Sequence, residues 1–339
     1  MKGLPAAVLS ALALSGTLAF TAYVIIGVIH DSETRRPYDS VLAAAASPDD
    51  RAVAPQSLTA TAFQPPDEST LPDDEFGKVV RRGKAIFTRT DTVVPQFVGN
   101  HLQCQSCHLN AGRQANSAPM WAAYGLYPAY RKKNHRVNTF SERLQGCFRF
   151  SMNGKAPPPG DPVLVALETY AYWLAKGAPT GVKLEGQGFL KLDPPALAPD
   201  YARGSQAYTQ HCAACHQPNG AGSPPAGAGM HVPALWGSGS YNWGAGMHRV
   251  STAAGFIKAN MPLGQGNSLS DQQAWDVALF IDSQERPQDP RYTGSVEQTR
   301  QQFHDDPDSM YGKTVNGHVL GSRASASGTL LTNHGAASP

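Results

Sequence analysis

Four of the five cysteines in this sequence fall into two copies of one pattern, Cys104-Gln105-Ser106-Cys107-His108 and Cys212-Ala213-Ala214-Cys215-His216. Two thiols one helical turn apart can add to the two vinyl groups of a porphyrin, and the adjoining imidazole then reaches the iron. That is the geometry of covalent haem attachment. A thioredoxin-like redox pair does not need the trailing histidine, and no further Cys-x-x-Cys completes a four-thiolate zinc site. The two motifs therefore predict two haem c groups, with His108 and His216 as their proximal iron ligands.

Each iron needs a sixth ligand. Met261, in Asn260-Met261-Pro262-Leu263-Gly264, lies 45 residues past His216 and nine before Ser270. Its place before a proline and a closing helix makes it the candidate for the second haem, ahead of Met230 and Met247, because a methionine elsewhere is more often packing than ligand. Methionine ligation raises a haem's potential, so this haem is expected to be the electron exit. The first haem is ambiguous. Met152 lies 44 residues past His108 and nine before Asp161, repeating the spacing of Met261. Cys147 is the fifth cysteine, with no thiol left in the chain to pair with, and reads either as an inert buried residue or as a ligand or nucleophile.

Charge adds to this. Between Cys104 and Gly160, Arg113, Arg131, Lys132, Lys133, Arg136, Arg143, Arg149 and Lys155 stand against the single carboxylate Glu142. A run such as Arg131 to Arg136 also reads as a plain solvated face. So lopsided a balance in a chain of net charge +2 nevertheless points to a small anion bound near the first haem, and it favours the thiolate form of Cys147. The net charge itself argues neither for a nucleic-acid binder nor for an acidic-tail protein.

Helices must hold these groups. The 339 residues allow two ordinary modules plus tails, and 33 Gly with 27 Pro suit a chain wrapped around prosthetic groups. Leu4 to Val28 is apolar and would reach about 37 Å as a helix, enough to span a bilayer; with no small-x-small cleavage site at its end it reads as an uncleaved anchor. Residues 1–30 are thus the anchor or signal segment, and 31–73 a flexible, loosely packed tether. In a first cytochrome c domain, 74–191, Phe76, Val79, Val80, Gly83, Ile86 and Phe87 share one helical face before the first motif. A second helix opens at Asp161-Pro162, turns Val163, Leu164, Leu167, Tyr170 and Leu174 inward, and stops at Gly177. A second domain, 192–286, repeats the order: Tyr201, Gly204 and Tyr208 on a short helix, the second motif, then a helix opened by the capping box Ser270 to Gln273. The tail, 287–339, reads as surface wrapping. The expected fold is all-α: two class I cytochrome c-like domains in tandem, each around one covalently bound haem c, with an N-terminal membrane helix and loop-rich tails.

Further residues carry a resemblance. Tyr130-Arg131-x-Lys133, Arg143-x-x-Gly146-Cys147-Phe148 and Ser151-Met152-Asn153-Gly154, all following a Cys-x-x-Cys-His, resemble the tetrathionate-forming thiosulfate dehydrogenase family of di-haem cytochromes, over roughly residues 75 to 285. The resemblance implies that Cys147, rather than Met152, is the distal ligand of the first haem, and that Arg131, Arg143 and Ser151 hold thiosulfate beside it. It implies that two thiosulfates are joined to tetrathionate with release of two electrons, reversibly in some members. Electrons would pass from the first haem to the second and on to a soluble c-type cytochrome or a terminal oxidase, with the enzyme periplasmic and tethered to the inner membrane. One departure stands out. Where some members carry Lys before the distal Met of the second haem, this chain has Asn260, and the nearest lysine is Lys258. Two other functions fit the motifs: a sulfur-oxidation cytochrome presenting thiosulfate to a carrier protein, and a non-catalytic di-haem electron carrier in which Met152 ligates.

Overall fold

A computed structural model describes residues 62–223 and 231–322. The first module carries helices α1 (Glu75–Thr88), α2 (Phe140–Gly146) and α3 (Pro162–Leu174) and a short hairpin of β1 (Ala129–Arg131) and β2 (Arg136–Asn138). The second carries α4 (Tyr201–His211), α5 (Val250–Asn260) and α6 (Asp271–Asp282). Five of these six helix starts are capped by a neighbouring side chain, whereas at α5 Arg249 makes no such bond and the Val250 amide donates to the distant Asp308 carbonyl. Asp74, Asp161 and Asp200 accept from the amides of Gly77, Val163 and Arg203, and Thr139/Glu142 and Ser270/Gln273 form reciprocal capping boxes. Each such cap stabilises its helix by about 1 kcal/mol.

The opening and closing helices of each module cross at a glycine. A Cβ on Gly83 of α1 would lie 2.1 Å from the Ala166 carbonyl oxygen of α3, and one on Gly204 of α4 would lie 2.1 Å from that of Asp276 on α6. Only a residue without a side chain lets the backbones approach this closely. The same crossing in both modules is the structural counterpart of the repeated plan. In the second it is reinforced by Arg203, whose Nε and Nη2 grip both oxygens of Asp276 at 2.8 and 2.9 Å.

Three expectations change. The apolar face of α1 is turned by one residue: Gly77 is buried with Val80, Gly83, Ile86 and Phe87, while Phe76 is 39% exposed. The end of the expected tether is fixed: Phe63 packs on Trp121 with ring centroids 5.7 Å apart, Leu71 joins the first core, and Asp67 caps the turn Glu68–Thr70. The beginning of the expected surface tail is internal. Between Pro287 and Ser322 the chain forms α7 (Val296–Phe303) and a hairpin of β3 (Thr314–Val315) and β4 (His318–Val319), and it buries Tyr311 and Leu320 completely in the second core. Several of its polar groups go in as one connected row. His304 Nε2 meets Asp289 Oδ2 at 3.0 Å, His304 Nδ1 meets His248 Nε2 at 3.3 Å, and His248 Nδ1 meets the Ala245 carbonyl, all buried.

Among the described residues no helix is long and apolar enough to cross a membrane. The predicted anchor, residues 1–30, lies outside them, as do most of the tether and the end of the tail.

Candidate functional site

The two attachment motifs are built alike. His108 Nδ1 faces the carbonyl oxygen of Ala118 at 2.8 Å, and His216 Nδ1 that of Pro233 at 3.0 Å. A carbonyl only accepts, so Nδ1 carries the proton in both rings and Nε2 keeps a free lone pair, the arrangement that orients an imidazole for a metal. Burial pushes His108 down to about 4 and lowers His216, which keeps both rings neutral at physiological pH. The thiols of Cys104 and Cys107 are pushed by burial up to about 12, unlike the stabilised thiolate of a redox pair. Both motifs therefore fit the donor set of a covalently held haem.

His108, Cys104 and Cys107 line a cavity of about 460 Å3, within the range of cofactor sites. The structure brings Cys147, Met152, Arg131, Arg143 and Ser151 to the same cavity. Helix α2 delivers two of them: Arg143 lies on its last turn, and the chain runs on from Gly146 into a wider turn, Cys147–Ser151, in which the Met152 amide bonds to the Cys147 carbonyl at 3.0 Å. Such π-turns recur at functional sites because they re-aim side chains. Here the turn sets Arg143 Nη1 3.0 Å from Cys147 Sγ. The negative charge available at that sulfur raises the Arg143 pKa further, so the guanidinium stays charged.

Of the eight basic residues between Cys104 and Gly160, Arg131 and Arg143 reach the cavity wall. Arg136 pairs with Glu142 at 2.7 Å, and Arg113 is drawn under Trp173 and toward Glu68. Lys133 is exposed along its stem, but its ammonium is tucked onto the Phe150 ring, 3.6 Å from the centroid, and donates to the Gly244 carbonyl. Burial of that end, with Arg291 and Arg143 nearby, pushes it down to about 7.

The second motif forms a separate cluster. Cys212, Leu235, Trp236 and Met261 pack against the second core, and Met261 ends α5, its amide bonded to the Ile257 carbonyl at 2.9 Å. Met230 lies outside the described residues. Met247, the other rival for the second haem, lines the first cavity together with Tyr241 and Ala245. Tyr127 and Phe189 had no signal in the sequence, and neither did these three residues of the second module, which nothing local marks as facing a cavity built mostly from the first.

Two attachment motifs with neutral, oriented imidazoles, each enclosed by a glycine-crossed helix pair, define a c-type cytochrome. A cytochrome c family model matches residues 201–285, and the cofactor this implies is haem c. The chain is 56% identical over 263 residues to the thiosulfate dehydrogenase of Thiomonas intermedia, covering 78% of this chain and 83% of that protein. It is 52% identical to that of Stutzerimonas stutzeri, over 76% and 85% of the two chains. A solved structure of thiosulfate dehydrogenase (TsdBA) from Marichromatium purpuratum superposes with a TM-score of 0.74 at 48% identity, covering 77% of this chain and 57% of that longer one. The chain belongs to the thiosulfate dehydrogenase family, and is an oxidoreductase.

Proposed function

We propose that this protein joins two thiosulfate dianions into one tetrathionate dianion and passes the two released electrons through two haem c groups to an external acceptor. Family membership supports the reaction, and one observation carries the assignment of the site: Cys147 Sγ and Arg143 Nη1, 3.0 Å apart, on the wall of the cavity that holds His108. In this reading His108 and Cys147 ligate the first iron, and His216 and Met261 the second. Bound at these sites, haem supplies one-electron steps and an outlet for the electrons. The protein's own residues manage charge. Two dianions about 6 Å apart repel by roughly 11 kcal/mol at an effective dielectric of ~20; Arg143 sits against the sulfur where they would meet, and Arg131 and Ser151 line the same cavity as further donors. The reverse reaction, tetrathionate reduction, uses the same groups.

A lysine-for-methionine ligand change at the second haem is not part of this proposal. Asn260 donates to the carbonyls of Asn116 and Phe256, and Lys258 is engaged by Asp271 at 2.9 Å and by the Leu269 carbonyl at 2.7 Å. Haem held by His216 and Met261 would supply a high-potential electron outlet to a soluble c-type cytochrome or a terminal oxidase, in the periplasm, with the apolar run from Leu4 to Val28 as the membrane tether.

The test is turnover of purified holoprotein with thiosulfate and ferricyanide, with tetrathionate measured as product. Cys147→Gly is expected to abolish turnover while a haemochrome assay still counts two haems per chain. Activity retained in that variant, or a count of one haem in the wild type, would overturn the assignment.

A further inference from the structure

We infer that Asn242, in the second module, is a positioning residue for the catalytic turn of the first: it and Asn100 hold the segment that carries Cys147 and Ser151. This rests on the reading of those two residues given above. A wide turn leaves carbonyls without helical partners, and a buried carbonyl must find a donor. After Cys147 and Phe148, whose carbonyls accept from Met152 and Gly154, three consecutive carbonyls remain, those of Arg149, Phe150 and Ser151. Each is met from outside the turn. Asn242 Nδ2 donates to the Arg149 carbonyl at 2.9 Å, the Asn242 amide to that of Phe150 at 3.2 Å, and Asn100 Nδ2 to that of Ser151 at 3.0 Å.

Asn242 is 1% exposed and its side chain is fully used: Nδ2 also donates to Asn153 Oδ1 at 2.9 Å, and Oδ1 accepts from the Gly244 amide at 3.0 Å. Asn100 completes the clasp by donating to the Ser240 carbonyl of the second module at 3.1 Å. Gly244 closes the approach: a Cβ there would lie 2.3 Å from Phe150 Cδ1. The face of this same segment that looks away from the turn supplies Tyr241 and Ala245 to the cavity wall. The second module is thus part of the catalytic site's frame as well as the electron outlet, and the turn that aims Cys147 and Ser151 is built across both modules.

The test uses full-length holoprotein. Asn242→Ala removes the side-chain donor to the Arg149 carbonyl and keeps the backbone amide on that of Phe150; Gly244→Ala leaves both and pushes Phe150 instead. Both are expected to lower kcat for thiosulfate by about 10- to 100-fold, the cost of misplacing reacting groups by about an ångström. Both should also shift the low-spin electron paramagnetic resonance signal of the first, imidazole–thiolate haem while leaving that of the imidazole–methionine haem in place. Ser270→Ala, which weakens α6 without touching the turn, serves as the stability control and should change neither. If Asn242→Ala lowers melting temperature as Ser270→Ala does, with kcat and the thiolate signal unmoved, the inference is overturned. Should Asn242→Ala not fold, Gly244→Ala decides alone by the same two readouts. A wild type that lacks both turnover and the thiolate signal would instead bring down the reading of the site, and this inference with it.

Discussion

Replacing Arg143 by Gln tests the electrostatic contribution, because it removes one charge while keeping a shorter but still polar side chain. Arg143 Nη1 is 3.0 Å from Cys147 Sγ, so a thiosulfate sulfur touching Cys147 lies about 4 Å from the guanidinium. A unit-charge pair at ~4 Å and an effective dielectric of ~20 interacts by about 4 kcal/mol. Arg143 is half-buried and some of that is screened, which places the expected loss near that of one preorganised oxyanion donor, about 2.7–4 kcal/mol or 100- to 1,000-fold in kcat/KM. Arg143→Lys restores the charge without the planar fork and should recover part of the loss. The assay is thiosulfate-dependent ferricyanide reduction across substrate concentration and ionic strength, with haem content measured in parallel. The wild type should lose kcat/KM as salt rises, and Arg143→Gln should lose less. A change below threefold in Arg143→Gln, with haem content equal to that of the wild type, would refute the claim that this guanidinium offsets the repulsion of the two dianions.

Two further outcomes follow from the packing and the buried charges. Gly204→Ala places a Cβ 2.1 Å from the Asp276 carbonyl oxygen, a clash that outweighs the gain in helix propensity of up to about 1 kcal/mol; thermal unfolding of the holoprotein should show a net loss of about 1–3 kcal/mol. Burial alone would raise the Asp289 carboxyl, but hydrogen bonds from His304 and Arg291 more than offset this and hold it well below its ordinary 3.8. A depressed acid contributes stability that is complete above its unfolded value and lost as pH falls through its folded one. Melting temperature should therefore drop steeply on acidification below pH 4, and Asp289→Asn should flatten that drop.

The parts of this molecule that were legible in the sequence are those whose causes are local. Asp161 with Pro162 and Ser270 with Gln273 announce α3 and α6 because cap and helix are neighbours in the chain. The haem motifs announce themselves because both thiols and the imidazole lie within five residues. The error over Phe76 is of the opposite kind: its neighbour Gly77 is buried because the Pro72 carbonyl closes over it, with a Cβ at 77 only 1.8 Å from that oxygen, and backbone approach outranks side-chain hydrophobicity there. What stayed hidden is long-range. Asn242 meets Arg149 across 93 positions of the chain, and Asp289 and His304, polar residues in a polar tail, are buried against each other with Arg291 and His248 beside them. Within the basic segment Arg136 and Arg113 are spent on Glu142 and Trp173, and sequence cannot tell a cavity-facing cation from a paired one.

The buried row from Asp289 through His304 and His248 to Ala245 has a stoichiometric consequence. Its two ends, a carboxylate and a peptide oxygen, can only accept, so His304 must carry hydrogen on Nε2 and His248 on Nδ1. The two remaining nitrogens face each other at 3.3 Å with room for a single hydrogen between them. Burial disfavours charge on both rings and so opposes filling that slot. On acidification it fills once, and the second ring then has no site left to protonate. Two imidazoles thus behave as one monobasic unit, and a titration curve assigned to either would belong to both.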